Sequence, residues 1–317
     1  MVMKIMLTGG AGFIGSHLCD EFVATNNQVI VLTRNTTLLD RILHLKDQII
    51  LERADVTDYD ELGRIIEKHQ PEVIIHLAGE TSHSKSFENP LYDLDVNTKS
   101  TLYILEKLKQ LNLKCRFILG STFIVIGRPQ ELPVTEQSVC NPTTIYGANR
   151  LASEVYCKIY HNVYEIDTVI FRITNSFGPR EQYTPSKNAI NFLIHKAFKK
   201  ESIPIFDKGD FFKDVVYVSD VVSAIKIIIS KGKSGELYWI GSGEKTWFYQ
   251  LGQWLEELTS AKVQYIQSPN YTKKVDVGNF VVDNSKLKSL GWEKKITVKD
   301  GIKKLLEFME KNNTTKN

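Results

Sequence analysis

The chain has 317 residues, 42% of them hydrophobic and 24% charged, so it is long and apolar enough to bury a sizeable core rather than stay disordered. Its 40 Lys and Arg against 37 Asp and Glu give a net charge of +3 without basic blocks, which argues against nucleic acid as the main partner. No apolar run reaches the roughly 20 residues of a membrane span, and the N-terminus lacks the pattern of a signal peptide. The four cysteines have no metal-binding spacing, so we expect a cytoplasmic protein in a reducing compartment.

The first half of the chain alternates short apolar runs with amphipathic segments. Strands are predicted at Lys4–Leu7, Val29–Leu32, Ile49–Leu51, Val73–Leu77, Arg116–Leu119 and Asp167–Arg172. Helices are predicted at Ser16–Ala24, Asp60–Lys68, Tyr92–Leu111 and Tyr146–Tyr160. This alternation predicts an α/β fold, a Rossmann-type doubly wound parallel sheet over residues 1–177.

From Gly178 onward, prolines interrupt shorter segments. A strand is predicted at Ile203–Phe206, and helices are predicted at Ala189–Lys199, Val218–Ile229, Trp247–Leu258 and Lys299–Lys311. This pattern predicts a smaller C-terminal substrate-binding lobe over residues 178–317. We expect segments of the two domains to interleave along the chain.

A glycine-rich turn follows the first predicted strand. Gly9, Gly12 and Gly15 stand where the strand feeds a helix, and Phe13 and Ile14 lie between the last two glycines. Absent side chains let the backbone approach a pyrophosphate at the positive end of the helix. The strand before and the helix after make a dinucleotide site the favoured interpretation, and a turn without ligand the alternative.

The end of the second strand indicates which dinucleotide is bound. An acidic residue there would accept hydrogen bonds from the ribose of NAD, but this chain has Thr33 and Arg34. Because a guanidinium can hold a 2′-phosphate, we predict a preference for NADP(H), with NAD(H) possible. Asp55 and Val56 follow the third strand and are predicted to contact the adenine.

Further motifs complete the pattern along the chain. They are Thr8–Gly15, His76-Leu77-Ala78-Gly79, Ser121-Thr122 before Gly127, Tyr146-Gly147-Ala148-Asn149-Arg150 and Arg172–Arg180. Together these motifs make the chain similar to the extended short-chain dehydrogenase/reductase family, which includes nucleotide-sugar epimerases, dehydratases, decarboxylases and ketoreductases. The resemblance covers nearly the whole chain, and implies that Leu77, Ala78, Gly79 and Ile173 bind the cofactor.

The resemblance also implies the catalytic residues. In that family a tyrosinate removes or returns a sugar hydroxyl proton while hydride passes to or from nicotinamide, and Tyr146 matches this tyrosine. The family's lysine four residues later, which supplies positive charge and contacts the nicotinamide ribose, is replaced here by Arg150. Arginine keeps the charge but is planar and bulkier, so the replacement is not conservative. Thr122 matches the hydroxyl that bonds the reacting oxygen.

The two residues after Thr122 bear on the reaction. Family 4,6-dehydratases carry an Asp-Glu pair there, whereas this chain has Phe123 and Ile124. An apolar pair cannot move the protons of dehydration. Decarboxylases similar to this group carry a Glu at the position of Ile124, so that reaction is disfavoured too.

The resemblance implies a nucleotide-sugar pocket made of residues from both halves of the chain. The residues that match it are Thr81, Ser82, His83, Thr122, Asn175, Phe206, Lys213 and Lys274. His83 is a candidate second acid or base, although a lone loop histidine is more often only a hydrogen-bonding residue. Lys213 and Lys274 stand where arginines are common, and they lack the bidentate fork that grips phosphate.

The sequence leads to three functional hypotheses. The first is NADP-dependent reduction of a nucleotide-diphospho-4-keto-6-deoxysugar at C4. The second is a UDP-sugar 4-epimerase with tightly held NAD, and the third is a non-catalytic sensor of dinucleotide or nucleotide sugar. By family analogy we expect a homodimer, paired through the helices Tyr92–Leu111 and Tyr146–Tyr160.

Overall fold

The computed structural model describes residues 2–34, 37–181, 183, 188–269 and 275–314. The strands are β1 (Lys4–Thr8), β2 (Gln28–Thr33), β3 (Ile49–Arg53), β4 (Val73–His76), β5 (Arg116–Thr122), β6 (Thr168–Ile173), β7 (Asn175–Phe177), β8 (Ile203–Phe206), β9 (Phe212–Lys213), β10 (Val215–Tyr217), β11 (Leu237–Ile240), β12 (Thr246–Trp247) and β13 (Val263–Ile266). The helices are α1 (Phe13–Ala24), α2 (Tyr59–His69), α3 (His83–Glu88), α4 (Pro90–Leu94), α5 (Ser100–Gln110), α6 (Ile145–Tyr164), α7 (Ala189–Phe198), α8 (Val218–Lys231), α9 (Phe248–Thr259), α10 (Ser285–Ser289) and α11 (Val298–Thr314).

A seven-stranded sheet in the order β11-β6-β5-β4-β1-β2-β3 organises the described part of the chain. Every neighbouring pair is parallel. Central strands are buried on both faces, as Ile5, Met6 and Leu7 of β1 show with no exposed surface. The predicted Rossmann-type doubly wound fold is confirmed, and its β1 ends beside the ends of β2 and β4.

The chain returns to this sheet after residue 178. Helix α8 packs in the same buried cluster as α1, with Ile225 and Ile228 in a core that also holds Leu18 and Phe22. Strand β11 then pairs with β6 at the edge of the sheet. Helix α8 and strand β11 therefore pack with the large sheet, although they lie beyond residue 177, in the part of the chain where interleaving of the two domains was expected.

The smaller lobe has a core of its own. Strand β8 pairs in parallel with β13, and helices α7, α9 and α11 surround it. Leu193, Phe248 and Ile302 are buried in this core. Phe177, at the end of β7, lies in the same cluster. The chain therefore enters the core of the lobe soon after β6, the preceding strand of the large sheet.

Helix α4 runs into α5 through a π-helical turn, Asp95–Lys99. The sequence predicts one helix over Tyr92–Leu111, and the π turn is a local widening that periodicity does not show. Among the described residues, no helix combines the length and the apolar character needed to cross a bilayer.

Candidate active site

The glycine turn between β1 and α1 is closed so tightly that side chains do not fit. Gly9 has φ +72°, and a Cβ on it would lie 2.9 Å from the backbone nitrogen of Ala78. A Cβ on Gly15 would lie 2.7 Å from the Cα of Gly10. Gly12 precedes α1 without a side-chain cap, so the first N–H groups of the helix, at Phe13 and Ile14, keep no intrahelical acceptor. This arrangement suits a diphosphate.

The predicted adenosine side of the site lies at the ends of β2 and β3. Arg34 donates to the Tyr92 hydroxyl at 2.6 Å and stands 3.6 Å from the Asp55 carboxylate, with its side chain 57% exposed. A cavity of about 340 Å³ here is lined by Arg34, Arg53, Ala54, Asp55, Asp58 and Glu61. Thr33 and Val56 are buried beside it. Arg34 and Asp55, which sequence assigned to phosphate and adenine respectively, thus lie against each other.

A buried hydrogen-bond chain fixes the segment beneath the predicted cofactor position. The Ala78 N–H donates to Thr8 Oγ1 (3.2 Å), which donates to His76 Nδ1 (2.7 Å). His76 Nε2 meets Ser100 Oγ at 3.1 Å, and Ser100 donates its own proton to the Val96 carbonyl. Nε2 therefore carries the imidazole proton. Burial, and then the charge of Arg150, lower the pKa of His76 to about 3, so this histidine is neutral.

Tyr146 and Thr122 lie at the same edge of the sheet. Tyr146 is in the first turn of α6, which Thr144 caps by accepting from the Gly147 N–H at 3.0 Å. Thr122 ends β5 and caps the 3₁₀ segment Phe123–Ile126, accepting from the Ile124 N–H at 3.3 Å. That segment lies against Gly147, where a Cβ would be 3.0 Å from the Ile124 carbonyl oxygen.

Arg150 lies one turn further along α6 and is 2% exposed. Its Nη2 donates to the Ala78 carbonyl at 3.1 Å. Its Nε and Nη1 are buried, and no described residue supplies an acceptor for them. Unmatched buried donors are costly, so two of them next to Ala78 point to oxygen atoms of a bound ligand. The ribose hydroxyls of a nicotinamide dinucleotide fit this requirement.

Asn97 is a candidate site residue that the sequence interpretation missed. It lies in the π turn, and its Nδ2 donates to the Glu80 carbonyl at 3.0 Å. Its Oδ1 is buried without a partner among the described residues, and a Cβ on Gly79 would collide with both this oxygen and Arg150. The available signal was an asparagine inside a predicted helix, where that residue is disfavoured.

His83 lies against Tyr146, the predicted catalytic tyrosine. The rings of His83 and Tyr146 are stacked at 5.9 Å with an interplanar angle of 22°. Burial lowers the pKa of His83 below its ordinary value, against the opposing charges of Asp276 and Asp93. Ser82 caps α3, and Thr81 Oγ1 is buried without a partner in the described chain. The structure thus brings the predicted Thr81-Ser82-His83 segment to Tyr146.

Two residues predicted to bind the nucleotide sugar, Lys213 and Asn175, form hydrogen bonds with the protein itself. Lys213 Nζ donates to Asp276 Oδ1 at 2.7 Å and to the Gly278 carbonyl at 2.6 Å, and burial lowers its pKa. A buried ammonium needs such partners, so a phosphate would have to compete with Asp276. Asn175 Nδ2 donates to the Asp214 carbonyl at 3.2 Å. Phe206 ends β8 half-buried, and Lys274 lies outside the described residues.

The sequence interpretation also missed a buried ion pair between Glu154 and Arg172, close to Thr122. Glu154, one turn beyond Arg150, accepts from Arg172 Nε (2.9 Å) and Nη2 (2.6 Å), and both side chains are almost fully buried. Ser121 donates to the same carboxylate. The pair therefore ties β5, β6 and α6 together directly beneath the site.

Comparison with known proteins gives a consistent result. The family model described as GDP-mannose 4,6 dehydratase matches residues 6–305. A putative UDP-glucose 4-epimerase from Methanocaldococcus jannaschii is 33% identical over 98% of this chain and 100% of the relative. A dTDP-glucose 4,6-dehydratase from Salmonella typhimurium is 28% identical over 96% of this chain and 92% of the relative. The solved structure of UDP-glucose 4-epimerase from Thermotoga maritima with UDP-glucose is 29% identical, has a TM-score of 0.90, and covers 98% of this chain and 100% of that chain.

Proposed function

The chain belongs to the GDP-mannose 4,6 dehydratase family, among the nucleotide-sugar epimerases and dehydratases of the extended short-chain dehydrogenase/reductase family, and from this premise we propose that it is a nucleotide-diphospho-sugar 4-epimerase. A bound nicotinamide would accept hydride from C4 and return it to the other face. Tyr146 would hold the proton of the C4 hydroxyl, and Thr122 would bond the same oxygen. Arg150 would donate to the nicotinamide ribose.

The observation that carries this proposal is the buried Arg150 beside Ala78 and the cofactor position. Guanidinium does not give up a proton in proteins, so Arg150 cannot pass protons between solvent and Tyr146. A reductase takes up one proton per turnover. An epimerase removes a proton from the C4 oxygen and returns one to it, so its proton balance closes between substrate and Tyr146.

Dehydration is not supported by the residues after Thr122. Ile124 is 5% exposed and packs against the start of α6, while Phe123 packs on Phe280. Neither side chain can act as an acid or a base. The dehydratases among the relatives therefore support the family of this chain, but they do not support dehydration as its reaction.

Two observations favour the 4-ketoreductase as second candidate. Arg34 at the end of β2 suits the 2′-phosphate of NADP, and His83 against Tyr146 offers a titratable group for proton uptake. Cofactor choice is tested by calorimetry with NADP and NAD on the wild-type chain and on Arg34→Asp. We expect NADP to bind more tightly to the wild type, and the preference to reverse in the variant. Tighter binding of NAD by the wild type would remove the NADP preference.

The reaction is tested with nucleotide-linked pentoses and hexoses that carry deuterium at C4. An epimerase delivers the C4 epimer with its deuterium retained, because the same hydride leaves and returns. Binding of these compounds without conversion of any of them would favour the sensor. Transfer of the deuterium from C4 to free NADP, by the reverse of the reduction and in amounts equal to the sugar oxidised, would favour the reductase.

We further propose that the enzyme acts as a homodimer in the cytoplasm. The outer face of α6 exposes Val155, Ile159 and Val163, spaced four residues apart, which is an apolar stripe of the kind a partner helix covers. The four cysteines are all free, which suits a reducing compartment.

A further inference from the structure

Two arginines lie at neighbouring strand ends on the predicted adenosine side of the site. Thr33, the last residue of β2, is paired with Arg53, the last residue of β3, and Arg34 directly follows Thr33. The Ala54 N–H donates to the Thr33 carbonyl at 3.2 Å, which extends the pairing one residue beyond β3. Arg34 and Arg53 both line the cavity of about 340 Å³ at this edge of the sheet.

The two arginines differ in their partners. Arg34 donates to the Tyr92 hydroxyl at 2.6 Å and stands 3.6 Å from the Asp55 carboxylate, so the protein itself holds its guanidinium. Arg53 is exposed, and no described residue forms a hydrogen bond or an ion pair with its guanidinium. The donors of the Arg53 side chain are therefore available to a ligand in the cavity.

Three carboxylates line the same cavity, and each of them accepts from a donor within the chain. Asp55 Oδ1 accepts from the Thr57 N–H at 3.0 Å and from the Thr57 hydroxyl at 2.9 Å. Asp58 caps α2 by accepting from the Glu61 N–H at 3.1 Å, and Glu61 pairs with the arginine three residues further along α2. Among the described residues, Arg53 is thus the one charged group of the cavity wall without a partner.

The position of this free guanidinium indicates an anionic group on the adenosine of the cofactor. NADP differs from NAD only by a 2′-phosphate, which carries about two negative charges near neutral pH. Its oxygen atoms match the planar fork of a guanidinium. The 2′-hydroxyl of NAD is neutral and calls for an acidic residue at the end of β2, where this chain has Arg34.

We propose that Arg53 is a specificity-determining residue of the cofactor site, which binds the 2′-phosphate of NADP together with Arg34. This inference rests on the proposed preference for NADP, and it applies to an epimerase and to a reductase alike. Tyr92 is a positioning residue, because its hydroxyl holds the Arg34 guanidinium at the cavity. The N-terminus of α2, which borders the same cavity at Asp58, adds partial positive charge.

Calorimetry with NADP and NAD on the wild-type chain and on Arg53→Met tests the proposal. Methionine keeps an unbranched apolar stem and removes the charge. We expect the Kd for NADP to rise at least about tenfold, the usual effect of losing a hydrogen bond to a charged group, and the Kd for NAD to change by less than about threefold. An equal change in both affinities, or no change in either, would overturn the proposal.

Lys114→Met is the matched control. Lys114 is exposed and precedes β5, so it lies at the opposite end of the strands from the cavity. The substitution removes the same unit of charge as Arg53→Met. Both affinities should therefore stay at their wild-type values. A loss of NADP affinity equal to that of Arg53→Met would show a general effect of net charge and would contradict the site.

Adenosine 2′,5′-bisphosphate and AMP restrict the comparison to the adenosine end. The wild type should bind the bisphosphate more tightly than AMP, and Arg53→Met should lose most of this difference. Because both ligands are measured on one protein, a loss of folded protein affects both alike. Equal affinities of the wild type for the two ligands would also overturn the proposal.

The outcomes separate this inference from the proposals before it. Tighter binding of NADP than of NAD by the wild type, with NADP binding unchanged in Arg53→Met, would remove the role of Arg53 and leave that of Arg34. Tighter binding of NAD by the wild type would remove both roles. Because calorimetry measures no turnover, a failure to convert any nucleotide sugar would remove the epimerase and leave the role of Arg53 standing.

Discussion

Arg150 is an unusual residue to bury at 2% exposure with only one of its nitrogens bonded to the described protein. Its environment is costly for the chain alone and becomes favourable once ligand oxygens meet Nε and Nη1. The sequence predicts the position of Arg150 in the site from its spacing to Tyr146. It could not predict the unmatched nitrogens, because these depend on Ala78 and Gly79 of another strand end.

Tyr146→Phe isolates the phenol hydroxyl. Turnover should fall by about 10²- to 10⁴-fold, the usual contribution of a positioned acid or base. The free energy of unfolding should change by less than about 1 kcal/mol, because the ring keeps its packing. Activity assays and urea titrations measure both. Turnover within a few fold of wild type would exclude Tyr146 as the proton-holding group.

Arg150→Met should separate stability from binding. Without cofactor the variant should be more stable than wild type by about 1 kcal/mol, since buried donors without acceptors are removed. Its affinity for the dinucleotide should fall at the same time. Arg150→Lys is the matched control. Because the proposed epimerase exchanges its proton only between the substrate and Tyr146, the turnover of this variant should stay within about tenfold of wild type. A large gain in the turnover of Arg150→Lys over wild type would show that arginine is a poor substitute for the family's lysine.

His76 should make the protein acid-sensitive. Its pKa is lowered from 6.5 to about 3 by burial and by Arg150, so between these values the unfolded chain binds a proton that the folded chain does not. Stability therefore rises with pH across this window and is lost as pH falls below 6.5. Relative to His76→Asn, the wild type should lose about 1.4 kcal/mol more per pH unit between pH 6 and 4. The free energy of unfolding is measured by urea titration at each pH. If it changes with pH in the same way for both proteins, this assignment is refuted.

Helix α6 presents two different faces, one for the proposed active site and one for the proposed dimer. Tyr146 and Arg150 are buried toward the sheet, while Val155, Ile159 and Val163 are 46%, 43% and 63% exposed. The sequence predicts this helix from its periodicity. It does not predict the π turn Asp95–Lys99, because a single added residue leaves the apolar pattern of the flanking helices almost intact.

Ile159→Glu should disrupt the proposed dimer by placing a charge in the apolar stripe. Light scattering should give twice 36.2 kDa for the wild type and 36.2 kDa for the variant at micromolar concentration. Leu43→Glu is a control, because Leu43 is 60% exposed but lies outside α6. A monomeric wild type, or a dimeric Ile159→Glu, would rule out this interface.

At the scale of the whole molecule, the α/β fold followed from alternating strands and helices. The segments that interleave between the two domains could not be named from the sequence. Helix α8 has a clear helical pattern, but nothing in its sequence says which core it joins. Strand β11 is four residues long and was not predicted. The two- and three-residue pairings of β9 with β12 and of β7 with β10 are too short for any periodicity.

The same scale explains why the structure brings the predicted catalytic residues together but bonds the predicted sugar-pocket residues Lys213 and Asn175 to the protein itself. The glycine turn follows the end of β1, and Thr122 is the last residue of β5, so local motifs at the strand ends of one sheet place them together. Tyr146 and Arg150 form a local motif of their own in the first turns of α6. Lys213 comes from the lobe, where its partner Asp276 is 63 residues away in sequence. Such a pairing depends on tertiary packing and has no local signal.

Absorbance near 340 nm, followed together with product analysis, tests the central claim most directly. The chain is mixed with a nucleotide sugar and with NADP or NAD at concentrations below that of the sugar. The proposed epimerase should convert many sugar molecules per cofactor, with no net change in absorbance and with the C4 epimer as product. A parallel mixture contains the chain, NADPH and a 4-keto-sugar nucleotide. Stoichiometric loss of NADPH absorbance in this mixture, with no exchange of C4 epimers in the first, would contradict the claim and establish the reductase.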